Sequence, residues 1–366
     1  MAEINQTPNP GHNVVKARNW WQSWPRQLVL GLAGFMLFCF ALGIMKVGAK
    51  SLAPFIRGQL SITNTADSLG LGWLMAYLVQ SGSPVAAVAI AMLSAGTLSP
   101  PQAFTMIAGS RLGASLVVLQ IGFLYALRER DRWTSLSAGV LSLLLTGSTF
   151  LLTLPLGLFI LERAWLDGVN LSVVVQLGAG LGRGIDALVG PFVQVLPGWA
   201  LFLFGTGLVV LSFKLFDQAL PKIGLEKTDL GRISRLVYRP EIMFLMGLVV
   251  TFITMSVSIS VGLLVPLSVR GYMRRENIIA YILGANVSTF VDTLMAAILL
   301  GDAGGVAVVL VHMLCAALLS VLVVLFAYHW YERTISSALD MITRRARNFA
   351  IFLAITFAVP VLLILL

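Results

Sequence analysis

The sequence predicts an all-α polytopic membrane protein built from two inverted-topology repeats, each helix, re-entrant hairpin, helix, helix, with a further C-terminal helix. Three observations predict it. Of 366 residues, 58% are hydrophobic and only 11% charged, against about 25% charged in a soluble domain. Several apolar stretches exceed the roughly 20 residues that span a bilayer as a helix. The features of the first half also return, in the same order, in the second.

The elements follow in chain order. Residues 1–27 are polar, without an apolar core or cleavage site, and read as a cytoplasmic N-terminal tail with no cleaved signal. Residues 28–161 form the first repeat, with apolar segments near 28–46, 68–96, 102–127 and 134–161. Residues 162–197 link it to the second repeat, 198–330, whose segments lie near 198–216, 241–269, 277–300 and 304–330. Residues 331–366 supply a basic link and a last transmembrane helix near 348–366.

The net charge of +9 raises the possibility of a nucleic-acid partner. Its distribution excludes that reading, because Lys and Arg gather in short links between apolar segments, the pattern that orients membrane proteins. If every segment crosses, "RERDR" (128–132) falls outside, against that pattern. If 68–96 and 241–269 instead enter and return on one side, "RERDR", the Lys214–Arg239 link, "RGYMRR" (270–275) and "RRAR" (344–347) all fall inside. Only the Lys46–Arg57 link then stands on the wrong side. Cys39 and Cys315 lie in separate apolar segments and imply no disulfide framework.

Each expected hairpin carries polar residues and helix breakers at its centre: Gln80, Ser81, Gly82, Ser83 and Pro84 in the first, Ser256 to Ser260 in the second. A half-segment of about 14 residues rises roughly 20 Å, a little past the midplane of a ~30 Å hydrocarbon core. Non-helical backbone persists at that depth only inside protein or beside a water-filled cavity. A shift of 175 positions aligns "QSGS" (80–83) with "MSVS" (255–258), and "GSRLGAS" (109–115) with "GANVSTF" (284–290). Each unit has three crossings, an odd number, so the second is inserted upside down. Inverted repeats with broken helices meeting at the midplane are the build of many secondary transporters.

In these paired motifs the chain resembles the sodium/phosphate cotransporter family, which carries a Gln-Ser-Ser-Ser motif in each inverted repeat followed by a Gly-Ala-Asn-x-Gly-Thr-Thr-like stretch. The similarity covers roughly residues 30 to 330. It departs at Met255 for Gln, Arg111 for Asn, Gly82 for a motif Ser, and Asp292 for a small hydroxyl residue. The resemblance is to the membrane part only, and the chain is expected to lack the soluble regulator-like helical domain that many bacterial relatives append. The resemblance implies sodium-coupled symport of inorganic phosphate by alternating access, with sodium co-transported, in a lipid bilayer such as the bacterial inner (plasma) membrane. A homodimer is left open. Another oxyanion, proton coupling through Asp292, and a degenerate non-transporting sensor or scaffold are the alternatives. No Ser/His/Asp order, HExxH or paired carboxylates suggest an enzyme.

The residue types suit both guests. Sodium takes hydroxyl, amide and freed carbonyl oxygens; phosphate takes donors and helix N-termini, and hydroxyls serve either. Expected phosphate contacts are Gln80, Ser81, Ser83, Arg111, Ser256, Ser258 and Asn286. Expected sodium ligands are Gln80, Ser83, Ser260, Asn286, Ser288, Thr289 and Asp292, with no other metal. The half-helices are expected to start just after Ser83 and Ser258. A charge at this depth costs about 2.5–3.5 kcal/mol on insertion scales and calls for a partner or a cavity. Arg111 is thus either a phosphate ligand through its planar fork or a structural brace paired with Asp292, and Asp292 could itself be a cation or proton site. His312 reads as a packed side chain, lacking the ligand spacing of a metal site. "GLGRG" with Arg183 and Asp186 lacks the Gly-Lys-Ser/Thr ending of a phosphate loop and reads as part of an extracellular piece.

Overall fold

The computed structural model describes residues 20–58, 64–128, 132–163, 187–219, 239–269 and 275–365, with residues 176 and 180 between. Arg183 and Asp186, and most of the basic links, lie outside the described residues. All regular structure among the described residues is helical. Among the described residues, seven helices are long and apolar enough to cross a membrane. Their outward faces carry Leu32, Met36, Leu152, Phe204, Leu318, Phe326 and Ile355, all well exposed. So much exposed apolar surface suits lipid and not water; this is an all-helical membrane protein.

Helix α1 (Trp20–Gly58) is longer at both ends than its apolar segment and runs against α7 (Gly198–Ala219). Glycine makes that approach possible: a Cβ on Gly48 would stand 2.4 Å from the backbone nitrogen of Phe202. Between them lie α2 (Thr65–Val79), α3 (Gly82–Ser94), α4 (Pro100–Arg128), α5 (Arg132–Glu162) and a short helix, α6 (187–195). Asn64 caps α2, its side chain accepting from Ala66 and Asp67 N–H while the Asp67 carboxylate accepts from Asn64 N–H at 3.1 Å, a reciprocal cap. Helix α4 opens on Pro100 and Pro101, where missing N–H groups cost nothing, and Gln102 reaches back to Ser99 N–H at 2.9 Å.

The second half runs α8 (Pro240–Thr254), α9 (Val257–Gly262), α10 (Leu264–Val269), α11 (Arg275–Ser288), α12 (Val291–Leu299) and α13 (Ala303–Leu322). A π-turn over Val323–Ala327 leads into α14 (Tyr328–Thr343), and α15 (Ala346–Leu365) closes the chain. Helices α2 and α8 have the same length, 15 residues, and stand 175 positions apart. Both end on a left-handed residue, Gln80 (φ 57°) and Met255 (φ 48°), and no other non-glycine among the described residues has positive φ. The packing matches too. A Cβ on Gly72 would lie 2.1 Å from Met106 O, and one on Gly247 1.9 Å from Tyr281 O. Gly109 meets Leu69 O and Gly284 meets Phe244 O in the same way, at 2.1 and 1.9 Å. Every residue in these pairs is displaced by the same 175 positions.

Three details differ from the sequence reading. The half-helices begin at Gly82 and Val257, with Ser81 and Ser256 at the N-cap positions, so Ser83 and Ser258 fall inside the first turn. The expected continuous segment 277–300 is interrupted at Thr289–Phe290. The helix expected to end near 330 continues through the π-turn to Thr343, because the extra residue of a π-turn keeps the ladder satisfied while shifting the buried face.

Candidate functional site: a polar chamber between two helix breaks

The two breaks open onto one buried chamber. Ser81, Gly82 and Ser83 line it from the first break, Ser256 and Val257 from the second. Arg111, Ala114 and Ser115 enter from α4, Thr146 and Phe150 from α5, and Asn286 and Thr289 from the end of α11. Free volume at its centre is about 10 Å³, room for about one water. A tetrahedral oxyanion does not fit without movement of the walls.

Local chain chemistry explains how each wall is placed. Gly82 sits where a Cβ would press to 2.8 Å from Ser110 O, so only glycine lets α3 begin hard against α4. Ser81 makes no side-chain cap, which leaves the first amides of α3 open to an acceptor. At the second break the Ser256 hydroxyl does cap, accepting from Ile259 N–H at 3.3 Å. Asn286 donates to the Thr149 hydroxyl at 3.4 Å, which fixes its amide in the chamber wall. Arg111 and Asn286 are themselves matched under the 175-position shift. The lining of the chamber therefore includes a cation and a neutral amide at matched positions.

Arg111 is 4% exposed and Asp292 2%. Nη2 of Arg111 donates to Asp292 Oδ1 at 3.2 Å and to Thr293 Oγ1 at 2.6 Å, while Nη1 donates to Ser83 Oγ at 3.3 Å. The Thr293 hydroxyl donates in turn to Asp292 Oδ1 at 2.8 Å. Phe290 lies under the guanidinium, its ring centre 5.1 Å away, a favourable cation–π placement. Arg111 Nε, Asp292 Oδ2, Ser288 Oγ and Thr146 Oγ1 are buried and find no partner among the described residues. Such atoms are rare in folded proteins and call for an explanation.

Of the expected site residues, the structure gathers Ser81, Ser83, Arg111, Ser256, Asn286 and Thr289 around the chamber, with Asp292 joined to it through Arg111. It does not bring Gln80 there: the left-handed turn exposes the side chain, whose amide donates to Tyr77 O at 2.6 Å. Ser260 faces elsewhere as well, buried and bonded to the Thr251 hydroxyl at 2.6 Å and the Tyr281 hydroxyl at 2.9 Å. Ser288 is buried but lines no part of the chamber. The Ser258 side chain lies outside what is described. Sequence reasoning missed Ser115, Thr146 and Thr293. Ser115 closes the quoted "GSRLGAS" and Thr293 follows Asp292, so both lay within reach; Thr146 carries no motif signal.

His312 packs as a side chain, its ring stacked 3.7 Å from Phe104 and 5.0 Å from Phe290, with Nε2 2.7 Å from Phe104 O. No cluster of three or more His, Cys, Asp or Glu side chains placed to hold a metal ion occurs among the described residues. Set against known protein families, curated proteins and solved structures, the chain matches none. The class defined so far is therefore an all-helical membrane protein with a central, charge-paired chamber.

Proposed function

We propose that the protein is a secondary active transporter that carries a small oxyanion, inorganic phosphate, together with sodium. In this reading α2–α3 and α8–α10 are re-entrant hairpins of two inverted repeats, with the N-terminus cytoplasmic. One observation carries it: two helix breaks at matched positions, with a buried arginine between them, line a single polar chamber. A scaffold without transport has no need to hold a buried arginine and the unpaired Thr146 hydroxyl at such a convergence, where apolar packing would be at least as stable.

The parts divide by chemistry. Arg111, Ser83 and the uncapped amides of α3 are donors and face an anion, whereas the Ser115 hydroxyl donates to Leu112 O at 2.6 Å and offers only lone pairs; a guanidinium fork suits tetrahedral oxyanions. The Asn286 amide, the Thr289 hydroxyl and the Asp292 carboxylate supply oxygens for sodium. The chamber has room for about one water, so loading an oxyanion requires one hairpin to swing away from the other, as in domain-closure motions. Each positive charge carried inward gains about 2.3 kcal/mol per 100 mV of membrane potential, enough to concentrate an anion.

The test is uptake of labelled phosphate into proteoliposomes. A sodium gradient drives accumulation in the wild type and not in Ser83→Ala or Arg111→Gln. Uptake that is absent with the gradient, or insensitive to both substitutions, contradicts the reading.

A further inference from the structure

We infer that the Arg111–Asp292 pair is an exchange device: the Asp292 carboxylate occupies the arginine in the empty protein, and a bound oxyanion displaces it, freeing the carboxylate for a small cation. The inference rests on the oxyanion reading of the chamber and supplies its coupling.

The geometry of the pair is what points to exchange. Carboxylate–guanidinium pairs are frequently bidentate, meeting through two parallel bonds. Here a single nitrogen, Nη2, reaches a single oxygen, Oδ1, at 3.2 Å. The remaining group of each partner, Arg111 Nε and Asp292 Oδ2, is buried and unsatisfied among the described residues. Both halves of the pair thus hold binding capacity in reserve. Arg111 also lines the chamber, whereas Asp292 does not, so an anion arriving there meets the arginine first. Thr293 bonds both partners and can keep either one satisfied as they separate. Ser83 already holds the other arm of the fork at 3.3 Å, so the guanidinium stays anchored to the first break during the change.

The consequence is linkage. An anion on Arg111 leaves Asp292 as a buried, uncompensated negative charge, which is strongly unfavourable. A cation on Asp292 removes that penalty, so anion and cation each raise the affinity for the other by the same factor. Sodium and a proton both meet the chemical requirement.

The experiment is a phosphate titration by calorimetry on purified full-length protein in detergent. One arm varies sodium at fixed pH; the other varies pH without sodium. In the wild type, phosphate affinity rises by roughly tenfold in one arm, and that arm names the cation. In Asp292→Asn, which has no charge to compensate, phosphate binds without sodium and the dependence vanishes in both arms. Thr293→Val, which loosens the empty-state pair and removes no charge, binds phosphate more tightly than wild type in the absence of the cation. Unchanged cation dependence in Asp292→Asn, or unchanged cation-free affinity in Thr293→Val, overturns the exchange while leaving the oxyanion site standing. Absence of phosphate binding by the wild type in every condition overturns both.

Discussion

Arg111 and Asp292 form an ion pair in which both side chains are buried, and this sets what single substitutions do. Removing one partner strands the other, at a cost of about 3 to 5 kcal/mol. Thermal melts should therefore show Arg111→Gln and Asp292→Asn each strongly destabilised, with the double variant less so than the two effects added. Strict additivity would mean the charges do not interact. Among the neighbours, Ser83→Ala removes a bond to a charged group, worth about 1.5–3 kcal/mol, so phosphate affinity should fall by roughly tenfold or more. Gln80→Gly should leave affinity unchanged and stability equal or higher, because the side chain points away and glycine accepts φ 57° without strain. A tenfold loss of phosphate binding in Gln80→Gly would restore glutamine to the site. The motif "QSGS" drew attention to the right turn and to Ser81 and Ser83, but Gln80 faces away from the chamber. Which atoms of a turn face inward depends on one backbone dihedral, and residue type does not reveal it. Thr146 was illegible for another reason: a lone hydroxyl in an apolar helix ordinarily bonds its own turn.

At the scale of elements, the crossings of α2 on α4 and of α8 on α11 rest on glycines that allow backbone contact. Gly72→Ala and Gly247→Ala should each lower the melting temperature, since the added carbon would lie 2.1 and 1.9 Å from a carbonyl oxygen and the helices must part; overpacking of this kind costs about 1–3 kcal/mol. Gly207→Ala is the control, having nothing within 4 Å of the added carbon, and should be neutral or slightly stabilising. The re-entrant reading has its own test. Asn64→Cys and Pro100→Cys, at exposed positions flanking the first unit, should react with an impermeant thiol reagent from the same side of the membrane. The native Cys39 and Cys315 are buried and give little background. Labelling from opposite sides would make α2–α3 a crossing. The break near 80 was readable from Gly, Pro and Ser within an apolar run, and the one near 255 from its serines and its match to the first under the 175-position shift. The break at Thr289–Phe290 was not, because no glycine or proline stands between Asn286 and Asp292 to mark it.

For the whole molecule, the sequence made the all-helical membrane class plain, since it follows from hydropathy and segment length. It did not indicate how the last helix is used. Helix α15 packs on α2, where a Cβ on Gly70 would come 2.6 Å from Pro360 O and the Tyr77 hydroxyl donates to Thr356 O at 2.9 Å. That contact joins residues 279 positions apart, and long-range pairing of this sort leaves no local pattern. The central claim is that two distant turns make one site. It is tested most directly by placing a cysteine at Ser81 and another at Ser256, in separate variants, and measuring the rate of modification by a small thiol reagent. Phosphate with sodium should slow the reaction at both positions, and neither variant should be protected once Arg111→Gln is added. Protection at one position alone, or at neither, would contradict a shared chamber.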